Sequence, residues 1–233
     1  MGTGKAVEDG KDGKAGPRAV LWDLDGTLLD SKQSIRDTMN TVLAERDLPG
    51  FTRDELAALI GHPLRDILAT KTKDLAVVEA MTHRYRAAYN ESGWVTVRVA
   101  EGLEDLLMRL RQDGIHTAVV TSKGQHETEV LLGDLGVAHL FDAIVGDDDV
   151  RPLKPDPAPV REALALLGGV PADRAVMVGD TTFDVGAAVG AGVACVGVLW
   201  GTHDRKTLLA AGAMAVVSDA AGLAKALRAV LGR

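Results

Sequence analysis

The sequence has few aromatic residues and no excess of positive charge. Phe, Trp and Tyr make up only 3% of the 233 residues, too few for the stacking platforms that bind single-stranded nucleic acids. The formal net charge is -7, whereas contact with a phosphate backbone needs a basic surface. Both features argue against a nucleic-acid-binding protein and favour one that acts on small molecules.

Cysteine and long apolar runs are also scarce. A single cysteine, Cys195, excludes an intramolecular disulfide and indicates a reducing compartment. Cys195 lies within the apolar residues 193–198, which predicts a small buried strand residue in preference to a nucleophile. No apolar run approaches the roughly 18 residues of a membrane-spanning helix, and the amino-terminal segment has no apolar signal-peptide core. We therefore expect a cytoplasmic protein with no membrane partner.

The remaining composition, 46% hydrophobic and 25% charged, is sufficient for a large core. Residues 1–17 are rich in Gly, Lys and Asp and predict a disordered lead-in. Apolar residues recur at helical spacing across residues 31–94, after a potential helix cap at Ser31 and with breaks at Pro49 and Pro63. This pattern predicts a small all-helical domain without strands.

From residue 95 onwards, short strands rich in Val and Ala alternate with helices. The predicted strands cover residues 117–120, 143–145, 175–178, 194–198 and 215–217. Strands without polar alternation are buried on both faces, and repeated strand–helix units form parallel sheets with right-handed crossovers. We therefore predict an α/β fold: a doubly wound, parallel, Rossmann-like core from residues 18–30 and 95–233, with residues 31–94 inserted as a helical cap domain.

Two aspartates follow the first apolar strand, which covers residues 19–22. Asp23 and Asp25 are two positions apart, so in an extended chain their side chains point to one face. They would lie at the carboxyl end of a strand, where open α/β sheets build their sites. Two carboxylates so close raise each other's pKa unless a cation joins them. The pair indicates a divalent metal, which we expect to be Mg²⁺, although Asp and Gly also occur in ordinary turns.

Two further clusters follow later strands. Thr121 and Ser122 offer hydroxyl and amide groups to a phosphate oxygen, or cap a helix. Lys154 lies just before a helix that Pro157 would begin. A cation at a helix N-terminus is unfavourable unless an anion is near, and a phosphate group and Asp23 would be those anions.

A final acidic pair follows the strand at residues 175–178. Gly179 permits a tight turn, Asp180 lies at the strand end, and Asp184 lies one helical turn further on. One carboxylate can reach the metal while the other orients Lys154 or a metal-bound water. The alternative is that Asp180 only caps the helix.

These four clusters, in this order, resemble the four motifs of haloacid dehalogenase superfamily phosphatases. The string Asp-Leu-Asp-Gly-Thr-Leu-Leu-Asp-Ser at residues 23–31 matches the first motif closely. A helical insertion directly after that motif resembles the first cap class of the superfamily. Residues 178–192 and 197–202 are similar to the phosphoglycolate-phosphatase-like group.

The resemblance implies a role for each matching residue. Asp23 would be the nucleophile, and Asp25 the general acid and base. Magnesium would bind to Asp23, to the backbone carbonyl of Asp25 and to Asp180, with Asp184 in support. The candidate phosphate-binding residues are Thr27, Thr121, Ser122 and Lys154, the last of which is also counted as catalytic. In the cap, His62 and Arg65 could supply donors to the substrate, although a His-Pro helix break and a surface Arg are common.

The predicted function is a magnesium-dependent phosphatase of a small-molecule phosphate monoester, such as phosphoglycolate, a sugar phosphate or a nucleoside phosphate. Asp23 would attack phosphorus and form an aspartyl-phosphate, while Asp25 would protonate the leaving oxygen and later take a proton from water. One alternative is a phosphotransferase of the β-phosphoglucomutase type. Another is a non-catalytic phosphate-binding or regulatory protein on the same fold. The expected partner is a small phosphorylated metabolite, and the expected state is a monomer or homodimer.

Overall fold

The computed structural model describes residues 16–147 and 152–232. The lead-in predicted for residues 1–17 lies outside this part of the chain except for its last two residues. None of the helices within the described ranges is long and apolar enough to cross a membrane.

The core is a six-stranded sheet in which every neighbouring pair is parallel. Its strands are β1 (Ala19–Trp22), β4 (His116–Gly124), β5 (Ala143–Asp147), β6 (Ala175–Gly179), β7 (Ala194–Val198) and β8 (Ala215–Val217). The spatial order is β5-β4-β1-β6-β7-β8, so the chain winds outwards in both directions from β1. The carboxyl end of β1 is therefore the switch point at which such sheets bind ligands.

Helices cover both faces of this sheet. They are α5 (Leu103–Gln112), α6 (Gln125–Asp134), α7 (Ala158–Leu166), α8 (Thr182–Gly190), α9 (Arg205–Ala210) and α10 (Ala220–Leu231). Alternate residues of β1 enter two separate apolar clusters: Val20 and Trp22 pack on one face, and Ala19 and Leu21 on the other. Burial on both faces explains the uniformly apolar strands and confirms the predicted doubly wound fold.

The cap consists of α1 (Lys32–Ala44), α2 (Arg53–Ala57), α3 (Leu64–Leu68) and α4 (Leu75–Ala88), followed by a π-helical turn at Tyr89–Gly93. These helices lie between β2 (Leu29–Asp30) and β3 (Arg98–Val99), which pair antiparallel. The sequence does not predict this ribbon, because two-residue strands are too short to show a periodic pattern. The inserted helical cap itself is confirmed.

One local prediction in the cap needs correction. Ser31 was expected to cap α1, but its side chain makes no capping hydrogen bond and donates to Asp25 instead. Thr52 begins α2 through a capping box with Glu55. That helix ends at Ala57, and turns continue to Ile60.

Candidate active site

Three aspartates converge at the carboxyl edge of the sheet. Asp23 directly follows β1, Asp180 follows its neighbour β6, and Asp184 lies in the first turn of α8. One carboxylate oxygen from each lies within 4.8 Å of the others, and all three residues are buried. The parallel pairing of β1 with β6 brings together side chains that are far apart in the sequence.

Burial and mutual repulsion dominate the electrostatics of this cluster. Burial, together with the nearby charge of Asp184, raises the pKa of Asp23 well above its usual value, despite the opposing attraction of Lys154. The same two causes raise the pKa of Asp180. Carboxylates that repel each other in this way are stabilised in their charged form by a nearby cation. Carboxylate oxygens are also the ligands that divalent cations such as Mg²⁺ prefer. The donor set therefore fits a divalent metal.

Lys154 joins two of these aspartates. Its Nζ donates to Asp23 Oδ1 at 2.6 Å, to Asp184 Oδ1 at 2.6 Å and to the backbone carbonyl of Val120 at 2.9 Å. Burial lowers the pKa of Lys154, but the charges of Asp184 and Asp23 outweigh that effect and raise it above its usual value. The ammonium group thus stays charged and holds Asp23 in place.

Hydrogen bonds also fix the carboxylate of Asp180. Thr27 Oγ1 donates to Oδ1 at 2.9 Å, and the amide of Thr202 donates to Oδ2 at 2.7 Å. Thr27 is completely buried, so in this structure the predicted phosphate ligand orients a carboxylate. A side chain at Gly201 would overlap with Asp180, which explains why this close backbone approach uses glycine.

Asp184 is fixed in a similar way by the start of its own helix. The amide and hydroxyl of Thr181 donate to Asp184 Oδ2 at 2.9 and 2.7 Å, and the Asp184 amide bonds back to the Thr181 hydroxyl at 3.4 Å. This capping box leaves the other carboxylate oxygen for Lys154. Asp184 therefore positions Lys154, as one of its two predicted roles requires.

Asp25 lies on the side of the site that faces the cap. Ser31 Oγ donates to its Oδ1 at 2.6 Å, and Lys123 Nζ donates to its Oδ2 at 3.1 Å. The same Nζ lies 4.2 Å from the centre of the Tyr89 ring, in a cation–π contact with the cap. Burial lowers the pKa of Lys123, but the carboxylate of Asp25 and the two nearby tyrosines outweigh it and raise the pKa.

Lys123 is the main site residue to which sequence reasoning assigned no role. It directly follows Thr121 and Ser122, so the sequence alone places it next to the predicted phosphate-binding residues. Its contacts with Asp25 and Tyr89 could not be predicted, because those residues come from distant parts of the chain. Proximity to a motif could have identified the residue but not its function.

Two of the predicted phosphate-binding hydroxyl groups, those of Thr121 and Ser122, lie in a cavity between the core and the cap. Thr121, Ser122, Asp23 and Asp25 all line it. Thr121 Oγ1 accepts from the amide of Lys123 at 3.1 Å. Ser122 Oγ is buried and has no hydrogen-bond partner among the described residues. A buried hydroxyl without a partner is costly, and a ligand oxygen would satisfy it.

The two candidate residues of the cap differ in position: His62 lies at the cavity, and Arg65 does not. His62 lines the cavity and packs edge-on against Phe183, with ring centres 4.6 Å apart. Arg65 is exposed and pairs with Glu79 on the surface of the cap. Only His62 is thus placed next to the site in this conformation.

Known proteins match both the sequence and the fold. The family model for haloacid dehalogenase-like hydrolases matches residues 20–198. The chain belongs to this family. A phosphoglycolate phosphatase of Xanthomonas campestris is 36% identical over 187 residues, covering 79% of this chain and 84% of the relative. A probable phosphatase, IndB, of Dickeya dadantii is 37% identical over 221 residues, covering 89% and 94%.

A solved structure extends this similarity to the fold. The crystal structure of a predicted phosphatase from Clostridium acetobutylicum superposes with a TM-score of 0.81 at 29% identity, covering 91% of this chain and 99% of that one. Family and relatives together confirm the predicted enzyme class, a haloacid dehalogenase-type phosphatase.

Proposed function

We propose that the chain hydrolyses a small phosphate monoester with the help of Mg²⁺ and through an aspartyl-phosphate on Asp23. One observation carries the proposal: Lys154 holds Asp23 at 2.6 Å inside a buried carboxylate cluster, directly beside a cavity that also contains Asp25. The residues proposed as nucleophile and proton donor thus line the same cavity, and the proposed cation binds the nucleophile. The phosphatase relatives support this assignment.

In the first step, a carboxylate oxygen of Asp23 forms a bond to phosphorus as the bond to the leaving oxygen breaks. Lys154 orients Asp23 and offers positive charge to the phosphoryl oxygens. Thr121 and Ser122 provide hydroxyl groups for those oxygens. Asp25 donates a proton to the leaving oxygen and, in the second step, accepts one from the water that releases phosphate.

Magnesium would be held by Asp23, Asp180 and the backbone carbonyl of Asp25. When bound, it supplies positive charge that offsets the charge of the phosphoryl group. Asp184 acts through Lys154, because its two oxygens are engaged by Lys154 and Thr181. The same cation would relieve the repulsion that raises the pKa values of Asp23 and Asp180.

We expect release of inorganic phosphate from small monoesters in the presence of Mg²⁺. The assay compares phosphoglycolate, a hexose phosphate and a nucleoside monophosphate, each with Mg²⁺ and with excess chelator. Release should require the metal and return when Mg²⁺ is restored, because the carboxylates repel without it. Absence of turnover of every ester with Mg²⁺ would contradict the proposal, and isomerisation of the hexose phosphate without phosphate release would favour a mutase.

A further inference from the structure

The cavity beside Asp25 has an apolar wall formed by the cap. Its aliphatic side chains are Ile35, Met39, Ile60, Leu64 and Ile67. Tyr85 and Tyr89 continue this wall with rings stacked 5.5 Å apart. The cavity is small, about 90 Å³. A leaving group in it would therefore contact hydrocarbon surface on the cap side.

The cations among the described lining residues are both engaged by carboxylates. Lys123 binds Asp25 at 3.1 Å. Arg86 lies 3.6 Å from Glu127 Oε1 and 3.8 Å from Asp147 Oδ2. Four carboxylates thus line the described part of the cavity, from Asp23, Asp25, Glu127 and Asp147. They face these two cations and Lys154, which lies beside the cavity and binds Asp23 at 2.6 Å.

The carboxylates that line the cavity repel a substrate that carries its own carboxylate. The phosphoryl group already brings negative charge, and the second anion would have to displace Asp25 or Glu127 from its cation. Like charges at close range are costly when they are partly desolvated. A hydroxyl or alkyl group needs no such exchange, and each methylene buried on the apolar wall improves binding about fourfold.

We infer that this site prefers phosphate esters of neutral alcohols with an apolar or aromatic part over phosphorylated carboxylates. The inference rests on the proposed function and specifies its substrate class. It separates this chain from the activity in the name of the Xanthomonas relative. The apolar wall of the cap and the carboxylates that already engage the cations of the cavity make the selection.

Three nearly isosteric esters test this directly: phosphoglycolate, 2-hydroxyethyl phosphate and propyl phosphate. They share the phosphoryl group and the first methylene, and differ in ending with a carboxylate, a hydroxymethyl or an ethyl group. We expect kcat/KM to rise at least about tenfold from the first to the second. It should rise about fourfold more from the second to the third.

Two pairs of variants separate the charge effect from the apolar effect. Glu127→Gln leaves Arg86 with less negative charge around it, and should raise the phosphoglycolate to 2-hydroxyethyl phosphate ratio of kcat/KM several-fold. Glu129→Gln is the matched control, because Glu129 lies on the same helix but is exposed and bonded to Gln125. Ile60→Thr should lower the propyl to 2-hydroxyethyl ratio, whereas Ile60→Val should preserve it.

Each readout is a ratio of two kcat/KM values from one preparation, so partial loss of folded enzyme cancels. The inference is overturned if phosphoglycolate is hydrolysed as fast as 2-hydroxyethyl phosphate or faster, or if Glu127→Gln changes the ratio no more than Glu129→Gln. In both cases the enzyme still turns over, and the proposed function stands. Failure to hydrolyse any of the three esters also overturns the inference, whereas the proposed function is contradicted only if the hexose phosphate and the nucleoside monophosphate are not hydrolysed with Mg²⁺ either.

Discussion

Replacing Asp23 with Asn should lower kcat by about four orders of magnitude or more, as expected when a nucleophile is removed. The amide has nearly the same shape but cannot form the acyl-phosphate bond. Its oxygen can still accept the hydrogen bond from Lys154. Phosphate release under single-turnover conditions measures the loss, and circular dichroism compares thermal unfolding with the wild type.

The fold should survive this substitution. Lys154 keeps Asp184 and the backbone carbonyl of Val120 as partners when Asp23 loses its charge. Burial also raises the pKa of Asp23, so a neutral residue is tolerated there. Asp37→Asn is a matched control on α1, since Asp37 is exposed and pairs with Arg36 at the surface. Turnover by Asp23→Asn at the rate of this control would exclude Asp23 as the nucleophile.

Lys154→Met should damage both stability and activity. The side chain is buried, and its loss leaves Asp23 and Asp184 without their shared cation. Removing one partner of a buried ion pair costs about 3–5 kcal/mol in the free energy of unfolding. Loss of positive charge at the phosphoryl group should lower kcat by about two to three orders of magnitude. Urea unfolding and steady-state kinetics measure the two effects.

Two companion variants test the cause of this instability. Lys225→Met removes an exposed lysine of α10 and should change the free energy of unfolding by less than about 0.5 kcal/mol. Adding Asp184→Asn to Lys154→Met should restore part of the stability, because one of the stranded buried charges is removed. Equal stability of Lys154→Met and Lys225→Met would refute the electrostatic explanation.

Much of the fold and of the buried carboxylate cluster could be predicted from the sequence. Asp23 and Asp180 each directly follow a strand, and the carboxyl ends of parallel strands share one edge of a sheet. Strand prediction and this single topological rule therefore place them together. The sequence also predicted an inserted helical cap, because a periodic helical segment interrupts the alternation of strands and helices.

The contacts between cap and core could not be predicted in this way. Lys123 contacts Tyr89 from the cap and Asp25 from the core, and no local pattern specifies such a meeting. Thr27 belongs to the first motif, yet its hydroxyl bonds to Asp180, a partner that only the folded chain reveals. Arg65 was a reasonable candidate by residue type, but the direction of its helix carries it to the surface.

The central claim is that Asp23 carries the phosphoryl group during turnover. Acid-quenching the wild-type enzyme with substrate and Mg²⁺, followed by borohydride reduction and peptide mass spectrometry, tests it most directly. Acyl-phosphates survive acid and are reduced to the alcohol, so position 23 should appear as homoserine only when substrate is present. Unmodified Asp23 in an enzyme that is turning over, or reduction at a different aspartate, would contradict the account.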